Sequence, residues 1–219
     1  MCGRYAYFAP PDQIARAFGL ADVPDFPPHY NVAPTQDAPV IRDIGEGRQC
    51  HLLHWGLIPF WAKDASVGNR MINARAETVS DKPAFRRAFR HRRCLVPASG
   101  FYEWRAEPGG KQPWFITLPD GEPMAFAGLW ERWDGADGTV DSFTILTTDA
   151  NPAMRAIHER MPVILPPDAF DEWLKASSDP EHLKPLLVPY RGPLLSHPVS
   201  RRVNSPRNDG PDLVAAVGE

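Results

Sequence analysis

The chain begins Met-Cys-Gly-Arg. Position 2 ordinarily falls in a frayed terminus, where an exposed thiol is a liability. Removal of Met1, favoured when the next residue is small, would turn Cys2 into a 1,2-aminothiol. Its amine titrates near ~8 and its thiol near ~8.5, so both are partly nucleophilic at neutral pH. Two chemistries follow. The thiol can attack an acyl group with the amine as base. Alternatively, the amine condenses with an aldehyde to an imine and the thiol closes on the same carbon, giving a five-membered thiazolidine.

Three other stretches carry groups that suit such chemistry. In GFYEW (100–104), an extended strand sends Phe101 and Glu103 to one face and Tyr102 and Trp104 to the other. A carboxyl among aromatics loses solvation, which raises its pKa toward the range of a general acid or base. The plain alternative is a strand-end glutamate paired with an arginine. IHERMP (157–162) offers His158 for proton exchange near neutral pH and Arg160 for holding an anion. A solvent-exposed or structural histidine is the plain alternative there. INARAET (72–78) places Asn73 and Arg75 on one face if extended, joining an amide to a phosphate-type clamp; otherwise Asn73 stabilises a loop.

Cys50, His51 and His54 lie close in sequence, but on a strand His51 faces away from the other two. No CxxC or HExxH spacing occurs, and no metal site is expected. Arg86, Arg87, Arg90, His91, Arg92 and Arg93 form the densest basic run. Such a run commonly marks a solvated helix face. Trp55, Phe60 and Trp61 occupy HWGLIPFWAKD, and exposed aromatics beside arginines suit stacking on single-stranded nucleic acid.

These residues must be held by many short elements, because 25 prolines punctuate the 219 residues without forming one tract. Helices are predicted at 12–20 (capped by Asp12, ended by Gly19), 82–93, 151–161 (capped by Asn151), 167–176 and 180–187. Strands are predicted on either side of the GEG turn (45–47), then in CLVPASGFYEW, PWFITL, MAFAGLWERW, SFTILTT and LLSHPVS. The pattern implies an α+β fold in one domain spanning 1–219: a mainly antiparallel, barrel-like β-sheet with peripheral short helices and a loosely ordered tail after about 205.

The net charge of −3 supplies no global attraction to nucleic acid, so binding requires a local basic face. Acids such as Glu131, Asp134, Asp137 and Asp141 are expected away from it. No membrane-length apolar run or signal peptide is evident, and three irregularly spaced cysteines suit a reducing, cytoplasmic setting.

Seven blocks, in order, resemble the SRAP family, the abasic-site-processing proteins first named SOS-response-associated peptidases. They are MCGR, YNVAPTQ (30–36), WGLIPFWAKD (55–64), INARAET (72–78), RRCLVPASGFYEW (92–104), IHERMP (157–162) and HPVSRRVN (197–204). The resemblance implies a compact α+β fold with a positively charged channel for single-stranded DNA, and covalent capture of an abasic-site aldehyde by mature Cys2. It implies catalytic roles for Cys2, Asn73, Glu103 and His158. Arg4, Arg75 and Arg160 match phosphate-contacting positions, and Asn31, Pro34, Trp61 and Trp104 match residues lining the DNA path. No cofactor is implied, and a one-site reaction requires only a monomer. The rival readings are an N-terminal-nucleophile hydrolase or amidotransferase, a thiol peptidase acting on its own Met1, and a non-covalent damaged-DNA binder.

Overall fold

The computed structural model describes residues 2–136, 138–175 and 180–218. Met1 and Asp137, both invoked above, lie outside the described residues, as does Ala176 at the end of one predicted helix. The strands are β1 (Tyr5–Tyr7), β2 (His29–Val32), β3 (Asp37–Asp43), β4 (Arg48–Trp55), β5 (Asn73–Arg75), β6 (Arg93–Ala98) and β7 (Gly100–Glu107). They continue with β8 (Gly110–Thr117), β9 (Met124–Gly135), β10 (Gly138–Asp149), β11 (Arg160–Pro162), β12 (Ile164–Leu165) and β13 (Leu195–Pro198). The α-helices are α1 (Pro11–Phe18), α2 (Arg86–His91), α3 (Pro152–Arg155) and α4 (Phe170–Leu174).

The architecture is α+β, as the sequence predicts. Strands β10-β4-β3-β6-β9 pair in that order, and β9 pairs back onto β10, closing a barrel. The β4–β10 contact is parallel (His54 opposite Ser142, Trp55 opposite Phe143), so the barrel is mixed. A second, antiparallel sheet runs β13-β8-β7-β1-β2. Aromatic rings join the two layers. Tyr5 lies 5.2 Å from Trp55 and 6.1 Å from Phe126, and Phe101 lies 5.8 Å from Phe126. All five side chains that make or extend this seam (Tyr5, Trp55, Phe101, Phe126, Phe143) are fully buried. Large rings in edge and offset contact supply both buried area and a defined geometry.

Helix ends follow local chemistry. Asn151 caps α3 as expected, its Oδ1 accepting from Met154 N at 2.9 Å. Helix α1 starts earlier than predicted, with Pro11 in its first turn and Asp12 inside that turn instead of at the cap. Gly19 ends it in the left-handed region at φ 64°. Helix α2 is shorter than 82–93, because Arg93 leaves it to begin β6. The buried Arg93 guanidinium collects the carbonyls of Phe89, Arg90, Trp173 and Lys175, fastening α2 and α4 to the barrel. The helix expected through 161 stops at Arg155, and Arg160–Pro162 instead pair with the end of β10. An open edge on β10 outweighs local helix propensity there.

Residues 206–218, expected to be loosely ordered, are tied to the body. Leu213 is fully buried, Ala216 bridges to Val199, and Asp209 accepts from Tyr30 N at 2.7 Å.

Gly100 opens the strand that carries Glu103. A Cβ there would sit 2.4 Å from Phe115 Cζ and 2.7 Å from the Ile116 carbonyl oxygen. Neither a buried ring nor ladder backbone yields easily, so Gly100→Ala is expected to cost about 1–3 kcal/mol. Chemical denaturation checks this; unchanged stability would mean that β7 and β8 shift freely.

Candidate active site

The amino-terminal segment runs beside β7. Tyr5 pairs with Phe101 and Ala6 with Gly100, and Tyr102 N donates to the Arg4 carbonyl at 3.0 Å. This register carries Cys2 to the Glu103 end of the strand. Cys2 is fully buried and Glu103 is 2% exposed. The alternation in GFYEW holds: Phe101 enters the main core, while Tyr102 and Trp104 face the smaller cluster with Phe115 and Val203.

Burial pushes the Glu103 carboxyl up to about 7, against the pull of the amino-terminal charge, the Trp104 backbone N–H and Lys111. Burial also pushes the Cys2 thiol well up, and the Glu103 charge adds to that; the amino-terminal charge opposes both. The thiol is thus kept neutral beside a carboxyl that titrates at physiological pH.

His158 joins this group. Burial and then the amino-terminal charge lower its pKa, against the raising effect of the Arg160 carbonyl, to which a protonated ring would donate. Arg160 N donates to His158 Nδ1 at 2.9 Å. A backbone N–H can only donate, so Nδ1 is the acceptor and the ring proton of the neutral form sits on Nε2. The longer contact of Nδ1 to the Arg160 carbonyl oxygen, 3.2 Å, needs the opposite tautomer and is the weaker of the two.

Asn73 is delivered by β5, whose residues 73–75 pair in parallel with Ile145–Thr147 of β10. The side-chain nitrogen donates to the carbonyls of Ile72 and Ile145 at 3.0 and 3.4 Å, while Oδ1 is buried with no hydrogen-bond partner. Such an acceptor is ready for a donor from a ligand. Thr147 pairs with Pro162 of β11 as well, so β10 holds the Asn73 and His158 segments at one end of the barrel.

The remaining predicted residues divide into two groups. Arg75 and Trp61 are exposed, the latter by 52%. Pro34 is half-buried in a turn that places Thr35 at φ 71°, a strained value for a β-branched residue. Half-buried Trp104 has its ring fixed by Nε1 donating to Asn204 Oδ1 at 2.8 Å. Arg4 is half-buried, with Nη1 donating to Asn31 Oδ1 at 2.8 Å and to the Val203 carbonyl at 2.6 Å.

Asn31 and Arg160 are the most heavily bonded of the set. Asn31 is fully buried and its Nδ2 donates to the carbonyls of Val203, Ser205 and Asn208. It therefore ties down the tail and Arg4. Arg160 makes a two-pronged pair with Glu77 (2.7 and 3.0 Å), a 2.8 Å bond to Asp149 and a 2.7 Å bond to the Thr147 carbonyl. Two carboxylates already neutralise it. These bonds make it a clamp joining the His158 segment to the Asn73 segment.

Lys111 and Glu77 were not anticipated. Lys111 sits opposite Ala106 in the β7–β8 ladder and acts electrostatically on both Glu103 and His158. Strand register alone brings it there. Among the described residues no three His, Cys, Asp or Glu side chains converge as metal ligands, and no helix is long and apolar enough to cross a membrane.

Comparison with known proteins agrees with this frame. The family described as SOS response associated peptidase (SRAP) matches residues 1–206. Abasic site processing protein YoqW of Bacillus subtilis is 44% identical over 98% of this chain and 99% of its own length. Abasic site processing protein YedK of Escherichia coli is 30% identical over 99% of this chain and 100% of its own. A crystal structure of a protein from Bacteroides thetaiotaomicron superposes with a TM-score of 0.87 at 28% identity, covering 99% of this chain and 100% of that one. With the amino-terminal cysteine, the β7 carboxyl and the closed barrel in place over this length, the chain belongs to the SRAP family.

Proposed function

We propose that this protein captures abasic sites in single-stranded DNA as a covalent thiazolidine adduct on Cys2, after removal of Met1. The observation that carries the reading is buried Cys2 beside the buried Glu103 carboxyl, which burial pushes up to about 7. The relatives named abasic site processing proteins support it.

An abasic deoxyribose is mainly a closed hemiacetal, so opening it needs a proton delivered to the ring oxygen and one removed from the anomeric hydroxyl. Glu103 is suited to exchange both. The Cys2 amine then attacks the aldehyde carbon, and the carbinolamine loses water to give the imine. The thiol sulfur adds to the same carbon while its proton passes to the imine nitrogen. One C–N and one C–S bond form and one water leaves, with no change of oxidation state. Holding amine and thiol at one carbon makes both steps intramolecular.

Asn73 Oδ1 orients the reacting amine or sugar, and His158 supplies its Nε2 proton to the departing hydroxyl. Arg4 and Arg75 hold phosphates, while Pro34, Trp61 and Trp104 line the path. Asn31 and Arg160 act by holding these residues in place. Three buried, unpaired cysteines suit a reducing, cytoplasmic setting.

Purified protein mixed with single-stranded DNA carrying one abasic site is expected to give a denaturation-resistant adduct. His158→Ala is expected to slow adduct formation or release by about 10²-fold. If neither rate moves, His158 has no part in proton transfer.

A further inference from the structure

Helix α2 and Phe60 of the 56–64 loop form a surface that none of the residues assigned above to the chemistry or the DNA path occupies. Arg86, Arg87, Arg90 and His91 are exposed, while Ala88 and Phe89 face the core. Of the six basic residues in this run, Arg93 is buried among carbonyls and Arg92 is paired with buried Glu131. Among the described residues no carboxylate is within ion-pair distance of Arg86, Arg87 or Arg90.

These cations are not isolated from aromatic surface. The Arg87 guanidinium lies 4.1 Å from the Phe60 ring centroid. Phe60 is 48% exposed and its neighbour Trp61 is 52% exposed. The loop is anchored by Trp133 Nε1 donating to the Ala62 carbonyl at 2.7 Å. Arg87 also lies in the electrostatic neighbourhood of Arg92, which further includes Arg42 and Arg132. Acids Glu131 and Asp141 offset part of this charge. A chain of net charge −3 thus concentrates unpaired arginines beside two exposed rings. Paired cations and stacking faces are what a single-stranded polynucleotide engages.

We propose that this face, Arg86, Arg87 and Arg90 with Phe60, is a second DNA contact that binds the strand flanking the lesion. The proposal extends the reading above, continuing the path from Trp61. Arg92, the neighbour of this face in the basic run, pairs with Glu131, which lies opposite Ser142, five residues along β10 from Thr147 at the active-site end. At ~3.3 Å per residue that separation is about 17 Å. Two nucleotides on either side of a lesion do not span it, whereas a strand of about thirty nucleotides does.

The test is equilibrium binding of five- and thirty-nucleotide single strands across a salt series, in the Cys2→Ala background so that covalent capture plays no part. The triple variant Arg86→Gln/Arg87→Gln/Arg90→Gln is compared with its parent, and Phe60→Ala separately. Expected results are a long-strand affinity lower by about tenfold or more, a salt slope shallower by about two, and an unchanged short-strand affinity. Equal loss on both lengths, or no loss on either, overturns the proposal. So does parent binding to phosphatidylserine vesicles that the triple variant loses while long-strand binding is unchanged. Absence of any adduct with the unmodified protein would instead count against the capture chemistry, and leaves this comparison readable.

Discussion

Glu103→Gln is expected to slow adduct formation by about 10²- to 10⁴-fold, the range for loss of a positioned acid or base. The amide keeps the shape of the carboxyl and its place on β7, but it cannot exchange the proton that opens the sugar ring. The pH profile adds a second signature. Glu103 is protonated below about 7, and the Cys2 amine is neutral above ~8. If the acid form opens the ring and the neutral amine attacks, the rate is bell-shaped with its maximum between these values. Glu103 sets the alkaline limb and the amine sets the acidic limb. In Glu103→Gln the alkaline limb should vanish.

The same substitution should move stability the other way. Folding raises the carboxyl from 4.5 to about 7, so the folded state resists ionisation. Destabilisation grows as pH rises from 4.5 to 7 and is constant above, at roughly 3 kcal/mol. At pH 8 the glutamine variant should therefore unfold at higher temperature than the parent. A slower but more stable protein identifies a residue kept for chemistry. Slower reaction with lower stability would point to a structural carboxyl.

Cys2→Ala has the larger effect, because it removes bond-forming atoms and not a catalyst. The alanine amine can still condense with the aldehyde, but the imine has no thiol to close on it and hydrolyses. Borohydride trapping during the reaction should still detect that imine, whereas the denaturation-resistant product should be lost. Trapped imine without stable adduct separates the role of sulfur from the role of the amine.

Much of the site was legible because it depends on short-range pattern. The two-residue alternation in GFYEW separates Phe101 and Glu103 from Tyr102 and Trp104; the structure puts Phe101 in the main core and Tyr102 and Trp104 at the smaller cluster, with Glu103 buried. Extended INARAET likewise places Asn73 against β10. What escaped depends on residues far apart in the chain. Arg160 was legible as an anion-holding residue, but not its pairing with Glu77, 83 positions away and brought to it by two strands laid beside β10. Asn31 is singled out only by the resemblance, and its bonds to the carbonyls of residues 203, 205 and 208 of the tail have no local signal. Lys111 carries no local signal at all. The barrel was expected, yet its closure through a parallel β4–β10 pair has no mark in either strand. The basic run was visible as a run, but which of its arginines stay free was decided by Glu131 and by the carbonyls around Arg93.

The central claim is that the chain's own second residue becomes part of the product. Intact mass measurement of the protein mixed with single-stranded DNA bearing one abasic site tests it directly. The predicted species has the mass of the chain without Met1 plus the DNA, less one water, and it is absent from Cys2→Ala. A protein that retains Met1 yet forms the adduct, or a Cys2→Ala variant that forms it to the same extent, would contradict the account.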